Sequence, residues 1–183
     1  FKFDNHTLWH SAGVAVPVFS LRTEDGFGVG EFPDIKKLGD WANETKLSVI
    51  QILPINDTTA NYTWTDSYPY AAISVYALHP QYLSIEKLEY ALPKDLVEDY
   101  QAKKAELNAL SLIDYEQMIS GKWKYTTAVF EANQEAILKD KNFKKFIKDN
   151  EEWLMPYSAF CVLRDKYKTP NFNEWKTHKK YVA

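Results

Sequence analysis

Cysteine is almost missing from this chain: Cys161 is the only one among 183 residues, so no disulfide can form within it. With Phe160, Val162 and Leu163 as neighbours it is expected to be a small core residue. No apolar run is long enough to span a bilayer, and no signal-peptide pattern opens the chain. An excess of one charge is missing too. The 22 Lys and Arg stand against 25 Asp and Glu, a net −3 with both signs interspersed, which leaves no footprint for nucleic acid or an anionic membrane. Lys139, Lys141, Lys144, Lys145 and Lys148 do cluster, but Asp140, Asp149, Glu151 and Glu152 lie beside them, as on a solvated helix face. No Cys/His group has metal-ligand spacing, so neither a metal nor a cofactor is expected. The triplets Asn5-His6-Thr7 and Asn61-Tyr62-Thr63 carry no meaning outside a secretory context, and a cytoplasmic protein is the expectation.

What is present is aromatic. Hydrophobic residues make up 45% of the chain and Phe, Trp and Tyr 15%, with twelve Tyr and six Trp. That is enough for one core, hence one domain or a piece of a larger one. Flat rings fill cores, and they also form platforms for sugar rings; composition leaves both open.

The first part reads as strand, helix, strand. Val14-Ala15-Val16-Pro17-Val18-Phe19 is a continuous apolar run suited to a parallel strand buried on both faces, with Pro17 tolerable only near its end. After Gly26, Gly28 and Gly30, Pro33 fits the first turn of a helix carrying Ile35, Leu38 and Ala42 on one side. Val49-Ile50-Gln51-Ile52-Leu53 is the second run, so the strands near 14–19 and 48–53 should lie parallel with the helix near 33–45 across them. The glycine loop is not a dinucleotide turn: Glu31 and Pro33 stand where a third glycine is needed.

From Pro54 to Tyr82 the chain is long, aromatic and irregular, beyond the carboxyl end of a strand, where parallel α/β folds place ligands. After Pro93 the pattern is helical. Leu96, Val97 and Tyr100 mark one helix. Asp114 caps a long one with Gln117 as its capping-box partner, and Tyr125, Val129, Ala132 and Ala136 form its stripe. Gly121 is tolerated inside it at some cost. A further helix covers Phe143 to Lys148, and the last runs from Pro156 to Tyr167.

These blocks resemble a family. Gly13 to Arg22 with Gly28-Val29-Gly30-Glu31-Phe32, then Gln51-Ile52-Leu53-Pro54-Ile55-Asn56-Asp57-Thr58, then Asp66-Ser67-Tyr68-Pro69-Tyr70 through Ala77-Leu78-His79-Pro80, are similar to the opening of 4-α-glucanotransferases, the amylomaltase or disproportionating-enzyme family. Residues 159–166 resemble its longer, plant-cytosol-like branch. The resemblance implies an α/β fold: a partial (β/α)8 TIM barrel, its first strands and sugar-binding loop in residues 1–90, followed by a mostly helical subdomain in 91–183. It implies transfer of α-1,4-glucosyl units between glucans, with maltose or maltooligosaccharides as partners. Retention at the anomeric carbon needs two carboxyl groups roughly 5 Å apart. In the family these come from later strands, and two strands are visible where a barrel of about 250 residues has eight. The chain alone is therefore expected to be an inactive fragment with no catalytic residue.

The resemblance makes Tyr70 the tyrosine of the family's Ser-Pro-Tyr motif, a wall beside the scissile bond. Ser67 is a weaker match, because Tyr68 intervenes before Pro69. Asp66 is a candidate for sugar hydroxyls or a turn carboxylate bonding its own backbone. Trp64 stacks on a ring or fills the loop's base. His79 reads as structural, and Asp57 with Asp66 is not expected to be a working acid pair. A rival reading is a self-contained carbohydrate-binding or interaction module without catalysis. A partial barrel also leaves a strand edge uncovered, from which self-association or a helical cover is expected.

Overall fold

The computed structural model describes residues 11–182, so the Asn5-His6-Thr7 triplet lies outside the described part. β1 (Gly13–Val16) and β2 (Val49–Ile52) pair in parallel, Gly13 with Val49 through Val16 with Ile52, and α1 (Phe32–Glu44) connects them. The parallel β-α-β unit is thus present, with shorter strands than the apolar runs suggested. Pro17 has no N–H for a ladder, and the chain turns there into a 3-10 helix, Val18–Ser20, that buries Val18. The strands are not buried on both faces either. Each alternates exposed and half-buried residues, and among the described residues no third strand joins the sheet.

Helix α1 begins at Glu31, whose side chain accepts from the backbone at Asp34 while the Asp34 carboxylate accepts from the Glu31 amide at 2.8 Å. Pro33 sits in the first turn, where a missing N–H costs nothing. Leu38 and Ala42 form the buried side.

The helical part follows as α2 (Lys94–Ala109), α3 (Tyr115–Lys139), α4 (Lys141–Asp149) and α5 (Glu151–Tyr167). Asp114 caps α3 as expected: Oδ1 accepts from the Gln117 amide at 3.0 Å, and the Gln117 side chain returns to the Asp114 carboxylate. The stripe on α3 is shorter than its spacing implied. Tyr125 and Val129 are buried, whereas Ala132 and Ala136 are exposed, because the helix runs on past the core to meet α4. α5 starts at Glu151 rather than at Pro156, which lies inside it. Cys161 is half-buried rather than fully enclosed, and burial pushes its thiol pKa up. The lysines of α4 face solvent, Lys145 pairing with Asp149 one turn on.

One core ties the two parts together. Phe27 and Val29 from the glycine loop and Ile85 pack with Tyr100, Leu107, Tyr115, Met118, Ile119 and Tyr125 of the helices. Phe27 is fully enclosed, stacked on Tyr100 at 5.3 Å and edge-on to Tyr125 at 5.7 Å. The loop is therefore a plug. Gly28 has φ +73°, and a side chain there would strike Leu107. Asn108 closes the plug as a backbone mimic, its Oδ1 accepting from the Gly28 amide at 2.9 Å and its Nδ2 donating to the Gly26 carbonyl at 2.8 Å. Beneath it Lys122 reaches from α3 to Glu31 in a fully buried ion pair and also donates to the Leu83 carbonyl. Burial lowers the Lys122 pKa despite that partner.

Gly121 gives the sharpest test of this packing. A Cβ there would stand 2.6 Å from Cε1 of Phe27, a ring that Tyr100 and Tyr125 hold in place. Helix propensity alone makes Gly121→Ala stabilising by about 1 kcal/mol. Overpacking makes it destabilising by about 1–3 kcal/mol, and that is the expected result in urea unfolding.

Candidate functional site

The chain leaves β2 at Leu53 and returns to its neighbourhood near His79. The two ends are closed by a bridge between Asn56 and Leu78, with the Asp57 amide donating to the Ala77 carbonyl at 2.8 Å and the His79 amide to the Ile55 carbonyl at 3.0 Å. What lies between is a folded loop, and its backbone is held by side chains.

Asp66 is the centre of it. Only 4% exposed, its Oδ2 accepts from the amides of Ala60, Asn61 and Tyr62 at 2.9, 2.8 and 2.7 Å. Of the two roles its sequence position left open, this geometry is that of the turn carboxylate. Thr58 adds a bond from its hydroxyl to the Asp66 carbonyl. Asp57 is buried as well, with Oδ1 accepting from the Thr59 amide at 2.9 Å and Oδ2 accepting from the Tyr157 hydroxyl at 2.6 Å. Burial, then the contact with Asp57, drives the Tyr157 pKa up. Both carboxylates are thus committed to holding the fold, which gives the pair no geometry for acid and base work on a sugar.

Arg164 clamps the loop from α5. It is enclosed, donates from Nη1 to the Thr59 carbonyl at 2.6 Å and from Nη2 to the Tyr62 hydroxyl at 2.7 Å, and lies 5.1 Å over the Tyr62 ring. The Tyr62 hydroxyl donates in turn to Asp165 at 3.1 Å. Tyr62 itself has φ +60°, a conformation costly for a bulky residue, which its amide bond to Asp66 and its hydroxyl bonds hold. Burial pushes its pKa up to about 12. From α3, Glu116 accepts from the Trp64 amide at 2.8 Å.

On this anchored backbone stand the exposed rings. Trp64 is 69% exposed, so it does not fill the loop's base; Tyr68 and Tyr70 are each 60% exposed and lie 5.5 Å apart. Ser67, half-buried, donates from Oγ to the Trp64 carbonyl at 2.6 Å and tightens the turn. Trp64 and Ser67 thus share one 3-10 turn with the buried Asp66, and Tyr70 follows three residues beyond it, beside Tyr68. Beside it opens a cleft of about 590 Å³, lined by Tyr62, Glu116, Ser120, Trp123, Arg164 and Asp165 among others. Sequence reasoning missed this wall. A signal existed for Arg164, a charge set directly against the end of the apolar run from Ala159 to Leu163. For Tyr62 and Trp123 there was only their aromatic character. Among the described residues no three His, Cys, Asp or Glu side chains gather into a metal site, and no helix is long and apolar enough to cross a membrane.

A parallel β-α-β unit with an anchored, aromatic loop beyond the carboxyl end of its second strand defines an α/β protein. Comparison narrows the class. Residues 16–182 match the 4-alpha-glucanotransferase family, glycoside hydrolase family 77, and the chain belongs to it. It is 43% identical over 167 residues to the 4-alpha-glucanotransferase DPE2 of Oryza sativa subsp. japonica, covering 91% of this chain and 18% of that protein. A 4-alpha-glucanotransferase of Chlamydia caviae is 32% identical over 164 residues, covering 89% of this chain and 30% of the relative. The chain therefore spans less than a third of the length of these relatives. The crystal structure of amylomaltase from Corynebacterium glutamicum superposes with a TM-score of 0.72 over 92% of this chain and 25% of that one, at 19% identity, which identifies the fold. The first β-α-β unit of that fold followed by a mostly helical part is what the chain forms.

His79 supplies a pH test of the loop's closure. Its Nδ1 accepts from the Gln81 amide at 3.1 Å, so the ring proton sits on Nε2, 3.1 Å from the Tyr115 hydroxyl. Burial lowers its pKa from 6.5 to about 4, outweighing the nearby Asp57 and Asp66, which favour the charged form. The unfolded chain takes up the proton first as pH falls, so the stability contributed by a neutral His79 is full above about pH 6.5 and lost toward pH 4, on the order of 3 kcal/mol. Unfolding midpoints between pH 7 and 5 should fall more steeply for the natural chain than for His79→Asn, whose amide cannot titrate.

Proposed function

We propose that this chain is part of a 4-α-glucanotransferase that moves α-1,4-linked glucosyl units between glucans with retention of configuration, and that it supplies sugar-holding surface rather than reacting groups. The single observation that carries this reading is the segment from Trp64 to Tyr70, where the rings of Trp64 and Tyr70 stand in solvent on a loop that the buried Asp66 ties to the amides of Ala60, Asn61 and Tyr62. A ring face offers an apolar wall to a sugar's C–H groups, and a tyrosine hydroxyl adds one hydrogen bond. Family membership supports the choice of glucan as the sugar. In this reading residues 1–90 bring the first barrel strands and the sugar-binding loop, and 91–183 form the helical subdomain that holds them. Maltose or maltooligosaccharides are the substrates, the cytoplasm the compartment, and no nucleic acid or membrane takes part.

The nucleophile and proton donor then belong to the larger part of the enzyme that this chain does not span. A family match across 167 aligned residues, with helices packed on the strand unit through one shared core, favours a piece of an enzyme over a free-standing binding module. Among the described residues no further strand pairs with either edge of the β1–β2 sheet, and self-association of the isolated chain is expected from it.

One experiment with three arms tests the reading. Maltotriose is incubated with the whole enzyme, with its Tyr70→Ala variant and with residues 1–183 alone, and the products are separated by chromatography. The whole enzyme should yield glucose and longer oligomers, Tyr70→Ala should be at least about tenfold slower at unchanged thermal stability, and the 183-residue chain should yield nothing. Turnover by the isolated chain, or full activity of a folded Tyr70→Ala, would contradict the proposal.

A further inference from the structure

The residue that interrupts the Ser-Pro-Tyr motif deserves a role of its own. Tyr68 stands between Ser67 and Pro69, and its ring is as open to solvent as that of Tyr70, 60% in each case. An insertion that only lengthened the turn could be any small polar residue. Here it is a large flat one, and the backbone around it is tied. The Tyr68 amide donates to the Thr65 carbonyl, the Ala71 amide donates to the Tyr68 carbonyl at 3.3 Å, Ser67 bonds back to Trp64, and Pro69 fixes the next φ. The two rings touch, with centroids 5.5 Å apart and planes inclined by 56°. They therefore make one bent aromatic surface that is largely open to solvent.

We propose that Tyr68 is a specificity-determining sugar contact, which together with Tyr70 receives two consecutive glucose units of an α-1,4-glucan. The inference rests on the glucanotransferase reading and adds to it the shape that this corner selects. Each α-1,4 linkage turns one glucose ring relative to the next, so such a chain coils and presents successive faces at an angle. A β-1,4 chain is a flat ribbon whose faces a bent surface cannot cover together. An inclined pair of rings fits the coil, with one unit on each ring. Tyr70 then serves any saccharide that enters the site, and Tyr68 serves only those that extend one unit further.

The test is the length dependence of transfer by the whole enzyme carrying Tyr68→Ala, Tyr68→Phe or Tyr68→Leu. One series runs donors from maltose to maltoheptaose against a fixed acceptor, and the other runs acceptors from glucose to maltotriose against a fixed donor. In one of the series kcat/KM of Tyr68→Ala should match the natural enzyme for short saccharides. It should then fall about tenfold at the length where the added glucose reaches the second ring, the scale of one lost stacking contact. Tyr68→Phe keeps the flat face and should stay within about twofold of the natural enzyme. Tyr68→Leu, which fills similar space without a face, should behave like Tyr68→Ala and decides the matter if the alanine variant does not fold. Losses equal at every length, or no loss in either series, would overturn the inference and leave the glucanotransferase reading standing. A natural enzyme inert toward every maltooligosaccharide would remove that reading, and the inference with it.

Discussion

Backbone that runs through a protein's interior without belonging to a helix or sheet must find partners for its N–H and C=O groups. Two irregular segments here face that demand, the glycine plug at 26–31 and the loop that follows β2. The answer is the same at each point: a polar side chain, usually from a helix distant in sequence, reaches in and substitutes for a strand. Asn108 bonds the backbone of Gly26 and Gly28. Lys122 takes the Leu83 carbonyl while paired with Glu31, Arg164 takes the Thr59 carbonyl, and Asp66 accepts three amides from its own loop. Arg22 returns the service, donating to the carbonyls of Leu107 and Asn108 at the end of α2 and of Leu110 just beyond it. Removing Lys122 or Arg164 leaves a buried polar group unpaired, which costs more than the bond contributes when whole.

This arrangement explains how a corner with so little sheet can present large aromatic rings in a fixed pose. Tyr157 and Arg164 lie two turns apart on α5 and grip the loop at Asp57, Thr59 and Tyr62. Glu116 at the start of α3 takes the Trp64 amide. The helical part is thus a frame for the loop.

Features that depend on neighbours in sequence could be read before any coordinates were known. The β-α-β order, Pro33 in the first turn of α1, the Asp114 cap and the structural role of His79 all follow from local pattern or from bonds spanning a few residues. β1 is shorter than its apolar run because the chain turns at Pro17 into a 3-10 helix, and hydrophobicity continues through Val18 and Phe19 where the ladder does not. α5 begins five residues before Pro156 because helical phase continues through it, with Trp153 and Leu154 bonding back to the Asn150 carbonyl. Gly121 was read as a helix weakness, when its partner is Phe27, far away in the chain. At the site, the exposed turn from Trp64 to Tyr70 was visible as a motif. The clamp was not, since Arg164 and Thr59 are 105 residues apart and nothing in either segment names the other.

The central claim is that the aromatic loop is a rigid platform held from beneath, and hydrogen exchange at three amides tests it most directly. Ala60, Asn61 and Tyr62 all donate to one buried oxygen of Asp66, so they should exchange slowly and as a group. In Arg164→Ala the three should speed up together, while amides in the middle of α1 keep their protection. Free exchange of these amides in the natural chain, at the rate of an open loop, would show that the platform is not preformed and would contradict the account.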